Sequence, residues 1–284
     1  MRKAGVTRSV EHRQGVSIAY QVSPGPCTDC SDWLVLVHGT MQSRAIWERF
    51  GYTEQLTRRF NVVTIDVLGH GQSSKPHFSA LYDTRFLALD ICAVLDEIGV
   101  RSAHYMGYSL GGRIGLAMAV LHPDRIRSLV VVGSSHHAQH DLVERFFCRG
   151  AIDILETDGM PAFLARWQEA HGFALSAKNL DRLAGHDPLA LAAYLRSCQS
   201  DPGIDEHQLS QIAIPTLICA GTDDAFRFEE SAELADLIPG ATFYALAGKD
   251  HGPTITSGAP ELLEQLTTFY AGQYAGLDAT EWAA

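Results

Sequence analysis

The stretch "HYMGYSLGGRIG", residues 104–115, decides how this chain folds. It opens as a short apolar run and closes as a helix-like one, and at the junction Gly107, Ser109 and Gly111 spell G-x-S-x-G. A serine at a tight strand-to-helix turn projects its hydroxyl outward, and glycines on either side let strand and helix approach closely. Gly112 relieves further crowding. The competing role for such a serine is the N-cap of a glycine-rich helix, its oxygen turned back onto backbone amides.

Working outward, the flanks alternate in type. "SAHYMGY" (102–108) reads as the strand leading into the turn, and Ile114, Ala117, Met118 and Leu121 give the following helix a buried stripe that stops at Pro123. "IRSLVVVG" (126–133) is the next strand. Upstream, "WLVLV" (33–37) and "NVVTID" (61–66) are short and apolar, as strands covered on both faces are. Residues 43–60 between them supply a crossover helix with Trp47, Phe50 and Leu56, and Leu87, Ile91, Val94, Leu95 and Ile98 place a long helix over 82–98. "VTRSVEHRQGVSIAYQV" (6–22) reads as an antiparallel hairpin. Strand and helix in alternation predict a parallel sheet with crossovers.

After residue 135 the rhythm changes to helix-like pieces at 141–156, 160–170 and 188–198, rich in aromatics such as Phe146, Phe147, Phe163, Trp167, Phe173 and Tyr194. Strands resume at "IPTLICAG" (214–221) and "ATFYALA" (241–247), with helices at 229–237 and 260–271. The expected class is α/β: a mostly parallel central sheet with helices on both faces and a helical lid inserted after the sixth strand. Residues 1–134 and 211–284 form the expected core and residues 135–210 the lid.

Length and charge set the outer bounds. With 284 residues, 46% hydrophobic and 19% charged, the chain is long enough to bury a large core. A formal charge of -11 and the absence of any Lys/Arg block argue against nucleic acid and anionic membrane surfaces as partners. A pocket can still carry a local potential opposite to that net charge. No apolar signal core opens the chain and no run approaches the roughly 20 residues of a membrane span, so a cytoplasmic location is expected. Cys27 and Cys30 form the one close cysteine pair, without a second ligand pair for zinc. His136, His137 and His140 in "SSHHAQHD" lack a persuasive carboxylate and histidine ligand set and read as a polar hinge, so no metal is expected.

A serine hydroxyl becomes a nucleophile only beside a base that is itself oriented by an acid. His251 in "AGKDHGPTI" follows the last predicted strand, where a loop can carry its imidazole over the sheet edge. "AGTDDAF" offers Asp224, with Asp223 left open, at the end of another strand, and the order Ser109, Asp224, His251 suits the motif. The amides of Leu110, next to the serine, and Thr40, in the "HGT" loop, are the candidate oxyanion donors. His38 is assigned to organising that loop.

These pieces together resemble the α/β-hydrolase family, specifically esterase-like members with a lid after the sixth strand. The resemblance rests on "HGT" (38–40), "DVLGHGQSS" (66–74), "GYSLGG" (107–112), "GTDD" (221–224) and "DHG" (250–252), and spans residues 33–271. It implies Ser109 as nucleophile, His251 as base, Asp224 as acid, the Thr40 and Leu110 amides as oxyanion hole, and Asp66, Gly69 and Gly71 as a structural turn. The implied activity is hydrolysis of a small-molecule ester or lactone through an acyl-enzyme, requiring no cofactor. Met41, Trp47, Phe146, Phe147, Trp167 and Tyr194 are the candidate substrate contacts. Two other readings stay open: a carbon–carbon bond hydrolase acting on a diketone-like compound, and a noncatalytic small-ligand binder. A homo-oligomer is compatible with the sequence.

Overall fold

The computed structural model describes residues 6–13, 15–26, 32–140 and 142–273. β1 (Thr7–His12) and β2 (Val16–Ser23) pair antiparallel around Gly15, whose φ of 85° turns the chain back. β3 (Trp33–Val37) follows, and then, in place of one crossover helix, two short ones: α1 (Ala45–Arg49) and α2 (Tyr52–Leu56). Gly51 separates them at φ 82°. β4 (Asn61–Ile65), α3 (Thr84–Glu97), β5 (Ala103–Tyr108), α4 (Leu110–Leu121) and β6 (Ile126–Val132) continue the alternation. Leu121 departs from the expected buried stripe. It ends α4 and is 42% exposed, whereas Ile114, Ala117 and Met118 are buried.

Six helices then intervene: α5 (Leu142–Phe146), α6 (Ala151–Thr157), α7 (Gly159–His171), α8 (Ala177–Ala184), α9 (Pro188–Gln199) and α10 (Glu206–Leu209). The helix expected over 141–156 is broken at Gly150, which sits at φ 71°. α8 is an addition to the sequence expectation. Its apolar face is narrow, with Leu183 its buried residue, and Ser176 caps it by accepting the Asn179 amide at 3.3 Å. β7 (Thr216–Gly221), α11 (Phe228–Leu237), β8 (Thr242–Leu246), α12 (His251–Ile255) and α13 (Ala259–Ala271) complete the described chain.

The strands form one eight-stranded sheet in the order β1-β2-β4-β3-β5-β6-β7-β8. β3 to β8 run parallel, and β2 pairs antiparallel with β1 on one side and β4 on the other. Alternation along β3 divides the core: Val35 and Val37 join α3, α4 and α11 on one face, and Leu34 and Leu36 join α1, α2 and α13 on the other. Burial of both faces explains why these strands are short apolar runs. The α/β class expected from sequence is therefore the one observed.

The helices between β6 and β7 leave and rejoin the sheet through a bonded neck. The Ile204 amide donates to the His136 carbonyl at 2.8 Å and the Gln139 amide to the Asp201 carbonyl at 3.3 Å. A Cβ at Gly203, which sits at φ 92°, would meet the Ala138 amide and the His136 carbonyl at 2.8 Å. Buried Arg113 of α4 grips this neck: Nε and Nη2 donate to the two Asp201 carboxylate oxygens at 2.9 and 2.6 Å, and Nη1 donates to the Ser135 and His137 carbonyls. No helix among the described residues is long and apolar enough to cross a membrane. Cys27 and Cys30 lie outside the described residues, while Cys92, Cys148, Cys198 and Cys219 are buried free thiols.

Candidate active site

Ser109 occupies φ 51°, ψ −112°, a conformation that L-residues adopt only when the surroundings impose it. What imposes it is the close packing of β5 against α4. A Cβ on Gly107 would run into the Gly111 carbonyl, one on Gly111 would run into the Val37 carbonyl, and one on Gly112 would meet Ser134 Cβ at 2.7 Å. The backbone is tied at both ends, Ser109 N–H to the Val132 carbonyl at 2.8 Å and Arg113 N–H to the Ser109 carbonyl at 3.1 Å. The side chain caps no amide of α4, so the N-cap alternative is not the one adopted.

Ser109 Oγ lies 3.1 Å from Nε2 of His251, and Nδ1 of the same ring lies 2.6 Å from Oδ2 of Asp224. A carboxylate only accepts, so Nδ1 carries the proton that bonds Asp224 and Nε2 of the neutral ring is free to accept from the serine hydroxyl. Asp224 is buried, and its neighbour Asp223 is exposed and accepts from the Thr222 hydroxyl at 3.1 Å. Consecutive side chains point apart, which separates two aspartates that sequence alone left open.

His251 is the first residue of α12 rather than part of a loop, with Asp250 accepting its amide at 2.6 Å. The loops after β7 and β8 are stitched together: the Thr222 amide donates to Leu246 O and the Asp223 amide to Lys249 O, both at 3.0 Å. Gly133, at φ 57°, lies against the imidazole, where an added Cβ would come within 3.3 Å of Cε1 and Nδ1. Tyr108 closes the other side, its hydroxyl donating to His251 O at 3.0 Å and its ring 5.1 Å from the imidazole.

Among the described residues, no hydrogen bond uses the amide of Thr40 or of Leu110, which leaves both donors available beside Ser109. The Thr40 loop is set by its neighbours. A Cβ on Gly39 would meet the Tyr108 ring at 2.9 Å, and Met41 is held at φ 56°. His38 is fully buried and accepts the Val67 amide at Nε2 (3.1 Å), so Nδ1 donates to the Gly39 carbonyl (2.8 Å). Burial holds its pKa down at about 4, and the ring stays neutral, a loop organiser. Asp66 likewise organises its turn, accepting the Arg44 and Gln72 amides at 2.7 and 2.9 Å and pairing with the Arg44 guanidinium. Gly71 folds over it where a Cβ would strike the carboxyl.

Ser109 and His251 open into a cavity of about 950 Å³ between the sheet edge and helices α5 to α9. Met41, Phe146, Phe147, Trp167 and Tyr194 line it, as do Thr40 and Leu110. Phe146 packs edge-on to the His251 ring at 5.3 Å, the Trp167 indole donates to the Phe146 carbonyl at 3.0 Å, and Tyr194 accepts the Thr40 hydroxyl at 3.3 Å. Trp47 is a correction. It is fully buried beneath α1 against Tyr52 at 5.1 Å, and Ala45, Ile46, Arg49 and Phe50 of that segment line the cavity in its place. A helix that short shows one face to the cavity and the other to the core. Sequence reasoning also missed Phe226, Arg49 and Arg182, which reach the cavity from the turn before α11, from α1 and from α8.

Folding brings a distant carboxylate to the histidine-rich stretch. One ligand atom each from His136, His137 and Glu233 lies within 4.8 Å of the others, and Nε2 of His137 is 2.7 Å from Glu233. His140 is exposed and takes no part in that group, and none of the three lines the cavity.

Residues 32–150 match the model of a family described as the alpha/beta hydrolase fold. A protein of Caulobacter segnis named putative carbamate hydrolase RutD is 30% identical over 266 residues, covering 90% of this chain and 97% of its own. Among solved structures, a hydrolase of Pseudomonas aeruginosa PA01 superposes with TM-score 0.78 at 25% identity, covering 94% of this chain and 99% of that one. The enol-lactonase of Burkholderia xenovorans LB400 gives TM-score 0.76 at 24% identity, covering 90% and 97%, a likeness of fold.

Proposed function

The chain belongs to the α/β-hydrolase family and is a hydrolase, and from that premise we propose that it cleaves a small-molecule carboxylic ester or lactone through an acyl-enzyme on Ser109. The observation that carries this reading is the unbroken hydrogen-bonded path from Ser109 Oγ through His251 to Asp224, opening into the cavity. His251 Nε2 takes the hydroxyl proton as Oγ attacks the carbonyl, and Asp224 stabilises the imidazolium through Nδ1. The Thr40 and Leu110 amides receive the oxyanion, and the proton then passes to the departing alkoxide. Water, deprotonated by the same imidazole, attacks the acyl-enzyme and releases the acid. A carbamate, the compound class in the name of the Caulobacter relative, presents a carbonyl open to the same attack. The helices of residues 135–210 act as a lid whose aromatic face selects acyl or alcohol groups by buried area.

The test is a screen of the purified protein against activated esters, lactones, carbamates and vinylogous diketones, with Ser109→Ala as control. Stoichiometric labelling by an organophosphonate, with ester or lactone turnover lost in Ser109→Ala, is expected. Cleavage of diketones with little ester turnover supports the carbon–carbon reading, and ligand binding without labelling supports a noncatalytic one.

A further inference from the structure

The chain carries a formal charge of -11, yet among the described residues its cavity is lined by four arginines, Arg49, Arg113, Arg182 and Arg227, and a single carboxylate, Asp250. Two of the arginines are neutralised: Arg113 by Asp201 and Arg227 by Glu230. The other two are not. Neither Arg49 nor Arg182 has an ion-pair partner among the described residues, and the hydrogen bond Arg182 makes is from Nη1 to the Met41 carbonyl at 3.1 Å. They come from α1 and α8 and line the same cavity, near enough that the Arg49 charge acts on Arg182. Burial first, and then the Arg49 charge, lowers the Arg182 pKa. Nearby His186 is lowered by burial, with Arg182 and Lys75 adding to the effect. Two uncompensated like charges at a cavity wall are costly to hold together unless an anion arrives between them, and a guanidinium fork matches a carboxylate.

Resting on the acyl-transfer reading above, we propose that Arg49 and Arg182 form an anion subsite, so that the preferred substrate is an ester or lactone bearing a carboxylate remote from the scissile carbonyl. Arg182 is bonded to the residue after Thr40, so the subsite is tied to the loop that supplies an oxyanion amide. The bound carboxylate would thereby set the distance from anion to reacting carbonyl. The local cations also offset the repulsion that the acidic molecule exerts on an approaching anion.

The experiment compares 4-nitrophenyl hydrogen glutarate with neutral 4-nitrophenyl pentanoate in the native protein, Arg182→Leu, Arg182→Lys and Arg49→Leu. Loss of Arg182 releases the Met41 carbonyl and disturbs every substrate, so the readout is the ratio of kcat/KM for the anionic to the neutral ester. That ratio should exceed one in the native protein and fall about tenfold or more in each leucine variant, mainly through KM, as expected for losing a charge-assisted hydrogen bond. Arg182→Lys should recover part of it, and raised salt should compress it. A native ratio below one, or leucine variants that lower both esters equally, overturns the subsite. Calorimetric binding of 4-phenylbutyrate and 4-phenylbutanamide separates the two readings. Selective carboxylate binding that weakens in Arg49→Leu, in a protein that hydrolyses no ester, sinks the hydrolytic assignment and leaves the subsite standing. Equal binding of acid and amide removes the subsite whatever the turnover.

Discussion

At the scale of single residues, the site depends on where one glycine allows a ring to stand. Gly133 has no side chain because its φ is positive and His251 fills the space a methyl would need. Gly133→Ala should leave the fold in place but displace the imidazole, and a misplacement of even about 1 Å can cost roughly a hundredfold in kcat. Stopped assays on a neutral ester beside circular dichroism check this, and an unchanged kcat would show that the ring has room to spare. Asp224→Asn should cost about ten-thousandfold because the amide no longer holds the ring in the tautomer that leaves Nε2 free. Asp223→Asn, on an exposed carboxylate bonded to Thr222, should stay within a few-fold, and a reversal of the two would move the acid role to Asp223.

At the scale of elements, the neck is the vulnerable joint. Asp201→Asn leaves the buried Arg113 guanidinium without its counter-charge, and breaking such a pair costs about 3–5 kcal/mol. The expected result is faster limited proteolysis within residues 135–210 and a lower Tm, and protease resistance equal to the native protein would contradict it. This joint also marks the limit of what the sequence disclosed. The strands, α3, α4 and the Ser109 turn were legible because burial on both faces writes itself as apolar runs and close packing writes itself as glycine. Asp201, Arg113 and Glu233 were not, since each acts through a partner 88 or more residues away, or reached only through folding, as with His137 and Glu233. α8 escaped because it is largely polar, and Trp47 misled because an aromatic next to a functional loop has the same letter whether it faces cavity or core.

At the scale of the whole molecule, buried titratable groups set an acid limit. Burial depresses His38 to about 4, His70 to about 3 and His104 to about 4, from 6.5. Between pH 6.5 and about 4 the unfolded chain therefore binds protons that the native one refuses, and stability falls as pH falls. Asp90 works the other way. Burial, resisted by Arg13 and His12, raises it to about 6, so below that pH the native state takes up a proton first. The histidines, joined by His136 and His186, whose pKa values burial also lowers, outnumber the one aspartate, so the net effect in that window is a loss of stability as pH falls. Urea unfolding at stepped pH should show this decline and a shallower one in His70→Asn, while a flat profile would mean these rings reach solvent. The neck has one more implication, for descent rather than mechanism. Because a clasp of backbone and guanidinium closes both ends of the α5–α10 segment at one point on an otherwise continuous sheet, whole caps could be exchanged between relatives at this seam, changing what is admitted while the chemistry beneath is inherited intact.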